Sequence, residues 1–181
     1  MRTEKMLTSA QIIRKRRLVA ETRQGYTSLM IRVLAIVVIG WLLFTQVFFI
    51  GQAKGNDMFP AIKDGDLVIG FRLQKNYIKD DVIVYEADGE LHVGRILDRE
   101  SDVITMDDSG TLIVNGTVQG GEILFPTYAK EGIEYPYTVP EGCVFVLGDY
   151  RTQAEDSRDF GCISLEDVKA KVITILRRRE I

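Results

Sequence analysis

Residues 33–53, VLAIVVIGWLLFTQVFFIGQA, run for 21 positions without a formal charge, and no other feature of this 181-residue chain restricts its folding as severely. A helix of that length, rising 1.5 Å per residue, covers a hydrocarbon core of about 30 Å. A helix that is apolar on every face is buried either in a large core or in a bilayer, and the residues that remain are too few to enclose it. A cleaved secretory signal has a shorter apolar core close to the N-terminus and a small-residue exit. Here the run begins after 32 residues and ends in aromatics. The sequence therefore predicts a retained transmembrane helix over 33–53.

Charge divides the chain at the same place. Residues 1–32 hold eight Lys/Arg against two acids, and the rest of the chain holds 15 basic and 24 acidic residues. Basic residues flanking an apolar span stay on the cytoplasmic side. The expectation is a cytoplasmic segment over 1–32, one pass through the plasma membrane over 33–53, and an extracellular domain over 54–181. The stretch MLTSAQIIRKRRLVAETRQ, residues 6–24, has the mixture of a helix lying on an anionic leaflet, and its reading as a topology signal is preferred. An acidic exported domain gives no reason to expect a nucleic-acid partner.

Period-two alternation and turn dipeptides dominate from Gly65 onward, which predicts a mainly β domain. LVIGF (67–71) and DVIVYEA (81–87) are strand candidates, and Asp88-Gly89 turns the second into ELHVGRIL (90–97). DVITM (102–106) leads to TLIVNG, where Asn115-Gly116 signals another hairpin, and CVFVLGD (143–149) reads as a strand. Residues 116–142 read as a loop-rich excursion, and the end of the chain as a short helix over 165–170 followed by a last strand. Cys143 and Cys162 fall in the exported part, where a disulfide is possible; their apolar flanks favour two small buried hydrophobes.

Three segments carry the chemistry. GNDMFPAIKDGDLV (55–68) follows the pattern G-x-S-M-x-P-T-L-x-x-G-D-x-V at Gly55, Met58, Pro60, Gly65, Asp66 and Val68. DVIVYEADGELHVGRILD (81–98) is a strand pair of the kind that ends in Y-V-K-R-V. LGDYRTQAEDSRDFG (147–161) follows G-D-N-R-x-x-S-x-D-S-R-x-x-G at Gly148, Asp149, Arg151, Asp156, Ser157, Arg158 and Gly161. In order, spacing and proximity to an anchor they resemble type I signal peptidases, membrane-anchored serine proteases with a Ser/Lys dyad. The resemblance covers most of residues 30–175 and implies a signal-peptidase-like β barrel or coiled sheet with short helices.

The departures from that pattern fall on the proton-transfer chain. The serine position is Asp57, the lysine position Gly94, and the position of the serine that supports the lysine is Ala154. A carboxylate has no hydroxyl proton to give and would form an anhydride with an amide, and glycine offers no base. The expectation from this set is a chain without an intact catalytic dyad and hence a non-enzyme. It resembles the catalytically degenerate SipA-like signal-peptidase relatives of streptococcal pilus loci. That likeness implies a Gram-positive surface and an accessory or chaperone role, with an exported client such as a pilin, or a sortase, as partner. Two alternatives stand beside it: an active signal peptidase using a non-standard site, and a scaffold that partners a true signal peptidase. Gly55, Met58, Pro60, Asp156, Ser157 and Arg158 are expected to shape a peptide groove or its supporting loop, with Asp156 and Arg158 as a structural ion pair. Met58 and Phe59 fit a peptide groove and a core or membrane contact equally.

Other chemistries are weighed against plainer readings. His92 lies two residues from Gly94 on one strand, on the same face at about 7 Å. It has no serine or cysteine in a matching context, so a histidine paired on the sheet surface is favoured. An Asp57/Asp156 dyad fails because the resemblance implies that Asp156 pairs with Arg158. Asp107 and Asp108 read as a polar hairpin turn rather than as metal ligands, and no metal or cofactor is implied.

Overall fold

The computed structural model describes residues 9–120 and 124–177; the first eight residues of the expected cytoplasmic segment, residues 121–123 of the excursion and residues 178–181 of the expected last strand lie outside them. The chain divides into two compact units, at Thr45/Gln46. The first is helical: α1 spans Ser9–Val47, and its stretch Thr22–Val47, 26 residues with a mean hydropathy of 2.2, is exposed from Thr22 to Gln46. By length and composition that stretch is able to cross a bilayer. The uncharged run does not stay helical to its end. Phe48–Gln52, rich in the aromatic and branched residues that suit a pleated surface, forms strand β1.

The second unit is β-rich, as the alternation predicts. After β1 come β2 (Leu67–Phe71), β3 (Val82–Ala87), β4 (Glu90–Arg99), β5 (Val103–Met106), β6 (Leu112–Val114), β7 (Thr117–Val118), β8 (Tyr137–Thr138) and β9 (Cys143–Leu147). Helix α2 (Ser157–Phe160), β10 (Ile163–Ser164) and β11 (Val168–Leu176) complete it. Seven strands form one sheet in the order β1-β2-β11-β3-β4-β9-β10, four form another in the order β7-β6-β5-β8, and every pairing is antiparallel.

Both expected two-residue turns are present for a conformational reason. Asp88 and Gly89 have φ of 50° and 78°, Asn115 and Gly116 of 49° and 77°; consecutive positive φ values are what the tight turn matched to strand twist requires. The helix expected over 165–170 is absent: residues 165–167 form a turn and β11 begins at Val168. The short helix lies earlier, at α2, where Asp156 caps the N-terminus and Asp159 reaches back to the Asp156 amide in a capping box.

Alternation along β9 divides the core. Phe145 and Leu147 pack with Leu97, Ile104 and Leu112 on one side, while Val144 and Val146 pack with Ile83, Tyr85 and Ile96 on the other. A third cluster, with Met58, Ile62, Val68 and Val84, lies under the β1–β2 connection.

Candidate functional site

The β1–β2 connection, residues 53–66, closes on itself through backbone bonds. The Ala53 amide donates to the Asp66 carbonyl at 2.8 Å, and the Gly65 amide to the Ala53 carbonyl at 2.9 Å. Gly55 and Gly65 have φ of 76° and 84°, a region that side chains disfavour, so the motif glycines answer to backbone conformation. Met58 is buried in the third core cluster. This settles its role as core: it pins the loop from below. Phe59 is half out of the surface, its ring 5.8 Å from that of Tyr150, and Pro60 beside it is exposed.

The second element, residues 147–161, is built around one buried ion pair. Arg158 donates from Nε to Asp156 Oδ1 and from a terminal nitrogen to Oδ2, both at 2.8 Å, and both side chains are about 1% exposed. Asp156 also accepts from the amides of Gly148 and Arg158, each at 3.0 Å. The remaining guanidinium nitrogen donates to the Tyr128 carbonyl at 3.2 Å. A buried charge is tolerable only with such saturation. Ser157 is buried too, its hydroxyl accepting from the Val146 amide at 2.9 Å, which ties the loop to β9.

These two elements meet at Asp57. The Tyr150 amide donates to the Asp57 carbonyl at 2.8 Å, and a side chain at Gly148 would run into that carbonyl and into Ala154, so the glycine of the Gly-Asp turn is required for the approach. The Asp57 carboxyl is half-buried. Burial raises it above the usual carboxylate range, opposed by the Glu155 amide that donates to it and by the His92 imidazole. His92 is held on β4 between the rings of Tyr85, at 5.6 Å, and Phe160, at 5.1 Å. It is thus partnered, as the plainer reading had it, and still lies within electrostatic reach of Asp57.

Gly94 and Ala154 sit where the motifs place them, both buried. The space over Gly94 is filled by Val146 and the Tyr85 ring. Ala154 packs against Gly148, and its carbonyl accepts from Lys130 Nζ at 2.7 Å. Lys130 also pairs with Asp159 at 2.5 Å. Among the described serines, Ser109 is bonded to Asp107 and Thr111, and Ser164 accepts from the Glu166 amide, so each is engaged in a local turn. Among the described residues no group of His, Cys, Asp and Glu is arranged to hold a metal ion.

Sequence reasoning missed Arg95, Tyr85 and Lys130, while the departure from the family pattern at Tyr150 points to a reshaped pocket. Arg95 grips Asp149 with two bonds of 2.8 Å and joins the Gly94 strand to the Gly-Asp turn; the arginine inside the strand motif was the available signal. Tyr150 stands between the rings of Phe59 and Phe125, at 5.8 and 4.8 Å. Tyr85 and Lys130 come from outside the quoted site positions, and no local pattern announces them.

The arrangement offers a half-buried carboxylate with a histidine nearby, set between two loops. A carboxylate so placed is chemically suited to take a proton from water and return it to a leaving amine. The family model for "Signal peptidase, peptidase S26" matches residues 26–176. A signal peptidase I of Bacillus caldolyticus is 31% identical over 135 residues, covering 66% of this chain and 74% of its own. A probable thylakoidal processing peptidase of Arabidopsis thaliana is 31% identical over 129 residues, and the match spans only 34% of that protein. A crystal structure of an Enterococcus faecalis signal peptidase I is 26% identical and covers 55% of this chain and 97% of its own, with a TM-score of 0.46.

These relatives overturn one expectation. The missing Ser/Lys pair led to a non-enzyme, yet the proteins that this chain matches are peptidases by name, and loss of two residue types does not remove a chain from an enzyme family whose remaining architecture it keeps. With five-sixths of its length matched by the family model, the chain belongs to the peptidase S26 family of signal peptidases.

Proposed function

We propose that this chain is a membrane-anchored endopeptidase of the signal-peptidase type that acts on exported proteins through a non-standard site, with Asp57 as its base. The observation that carries this reading is the position of the Asp57 carboxyl: it stands in the serine position between the two site loops, raised by burial and faced by His92. Asp57 in its ionised form takes a proton from water as the water oxygen attacks the scissile carbonyl carbon. The protonated carboxyl then returns that proton to the amine as the C–N bond breaks. A carboxylate whose conjugate acid is raised above the usual range is a stronger base for the first step than an ordinary one.

The test uses the purified full chain in detergent with a precursor protein that carries its signal peptide. Cleavage by the full chain, lost on Asp57→Asn, supports the reading. An intact precursor, under conditions in which a signal peptidase with a Ser/Lys dyad cuts it, overturns it.

The apolar helix supports a single-pass plasma-membrane location, and the basic residues before it support a cytoplasmic N-terminus with the β domain outside. Protease added to intact cells should then digest residues 48–177 and spare the N-terminal segment. For the client we propose an exported surface protein of the kind that a sortase assembles, such as a pilin subunit. What supports this is the departure of Asp57, Gly94 and Ala154 from the family's proton-transfer residues, a degeneracy in which the chain resembles the SipA-like proteins of pilus loci. Cross-linking in cells, followed by identification of the bound protein, checks it.

A further inference from the structure

Cys143 opens β9, and Cys162 lies one residue before β10. The antiparallel register pairs Ile163 with Val144 and Ser164 with Cys143. Carried one step further it sets Cys162 across from Phe145, so Cys143 and Cys162 are diagonal neighbours on one face. Their surroundings agree with this placement. Cys143 packs with the cluster that includes Phe145 and Tyr137, the Tyr137 ring lies 5.5 Å from that of Phe145, and the Tyr137 phenol is hydrogen-bonded to Cys162. Burial first, and then the hydrogen bond that it donates to Cys162, pushes the Cys143 thiol up to about 11. A typical diagonal pair lies just beyond what a disulfide spans, so closing the bond asks β10 for a small step toward β9. β10 is a two-residue strand at the end of the seven-strand order, so it is free to adjust.

We propose that Cys143 and Cys162 are a disulfide-forming pair that fastens β10, and with it the α2 loop carrying Asp156 and Arg158, to β9. The oxidant is a small-molecule disulfide. Cys162 attacks one of its sulfurs as the thiolate, giving up its proton and releasing one small thiol. Cys143 then loses its proton and attacks the Cys162 sulfur of the mixed disulfide, releasing the second. Two protein S–H bonds become one S–S bond, and the small disulfide is reduced to two thiols. Because Cys143 is held protonated, the second step should speed up with rising pH.

The link closes a short loop around the site, so it should raise the unfolding temperature by roughly 5 °C or more. The pairing does not depend on the peptidase reading, since mass and unfolding report it without substrate. The full chain in detergent is equilibrated with oxidised or reduced glutathione, quenched with acid, and labelled with a maleimide under denaturing conditions. The expected result after oxidation is a monomer that takes no label, is lighter by two hydrogens, and unfolds at the higher temperature. Cys143→Ser and Cys162→Ser should each take one label and show no such rise. Full labelling of both thiols after oxidation, chain-to-chain dimers in place of the internal link, or an oxidised form that unfolds no later than the reduced one would each overturn the proposal.

Discussion

Val146 stands where a Cβ on Gly94 would have to go, and the Tyr85 ring closes the same space from the neighbouring strand, its Cε1 3.2 Å from that point. Gly94 is therefore a fitted part of the core. β4 lies between β3 and β9, so the two side chains that occupy its empty position arrive from both flanking strands.

Restoring the family's lysine by Gly94→Lys alone should overpack this layer and destabilise the chain by about 1–3 kcal/mol. Val146→Ala in the same chain should recover part of that loss, because it removes the nearest obstructing methyl. Thermal unfolding of the two variants and the parent decides it: a Gly94→Lys chain as stable as the parent would contradict the packing described.

Arg158 depends on Asp156. Asp156→Ala leaves a guanidinium that is 1% exposed without its counter-charge, and such a cut typically costs about 3–5 kcal/mol. Asp156→Asn, which keeps one acceptor oxygen, should cost less. Denaturant unfolding midpoints should rank parent, Asn and Ala in that order.

Asp98 gives the stability a pH slope of unusual sign. Burial, then the charges of Asp102 and Asp80, raise its carboxyl to about 6 against the opposing pull of Lys79 3.8 Å away, and Oδ2 has no partner among the described residues. The folded chain thus holds this proton more tightly than the unfolded chain, whose carboxyl titrates at about 3.9. The Asp98 contribution should be most favourable below about pH 4 and decline as pH rises to about 6, then stay level. Asp98→Asn should flatten this slope and add roughly 1 kcal/mol at neutral pH. Unfolding curves between pH 4 and 7 for parent and variant test it.

A soluble fragment must begin no later than β1. Phe48–Gln52 pairs residue for residue with β2, and Ala53 is part of the core under the site loop. A fragment over 46–181 should unfold cooperatively, while one over 54–181 should be less stable by several kcal/mol and prone to associate through the uncovered β2 edge. Circular dichroism melts and size-exclusion profiles of the two fragments give the comparison.

Much of the β unit was legible because its turns are local chemistry. Asp-Gly and Asn-Gly dipeptides specify positive φ at two successive residues, and that alone sets the β3–β4 and β6–β7 hairpins. β1 was not legible: Phe48–Ile50 are as apolar as the helix before them, and hydrophobicity by itself does not separate a helix from a strand. The helix expected over 165–170 gave way to a turn and a strand that fills the centre of the large sheet between β2 and β3, a placement no local propensity outweighs. α2, by contrast, carried a readable sign in Asp156 and Asp159 at capping-box spacing.

The site was legible in its loops and not in its filling. Gly55, Met58, Gly148, Asp156 and Arg158 lie where the motifs put them, since each serves a backbone or burial requirement that the motif encodes. Tyr85 and Val146 belong to strands far apart in the chain, and only the register of three strands shows that they share one space with Gly94. Likewise Lys130 reaches the Ala154 carbonyl from the excursion, where no periodicity guides the eye.

The Tyr150 amide grips residue 57 by its carbonyl, and Gly148 makes way for that same carbonyl. Neither contact senses which side chain is mounted there. Residue 57 is in effect a socket: the reactive group is interchangeable while the fitting stays put, so a lineage is able to retool this spot without rebuilding the frame that displays it.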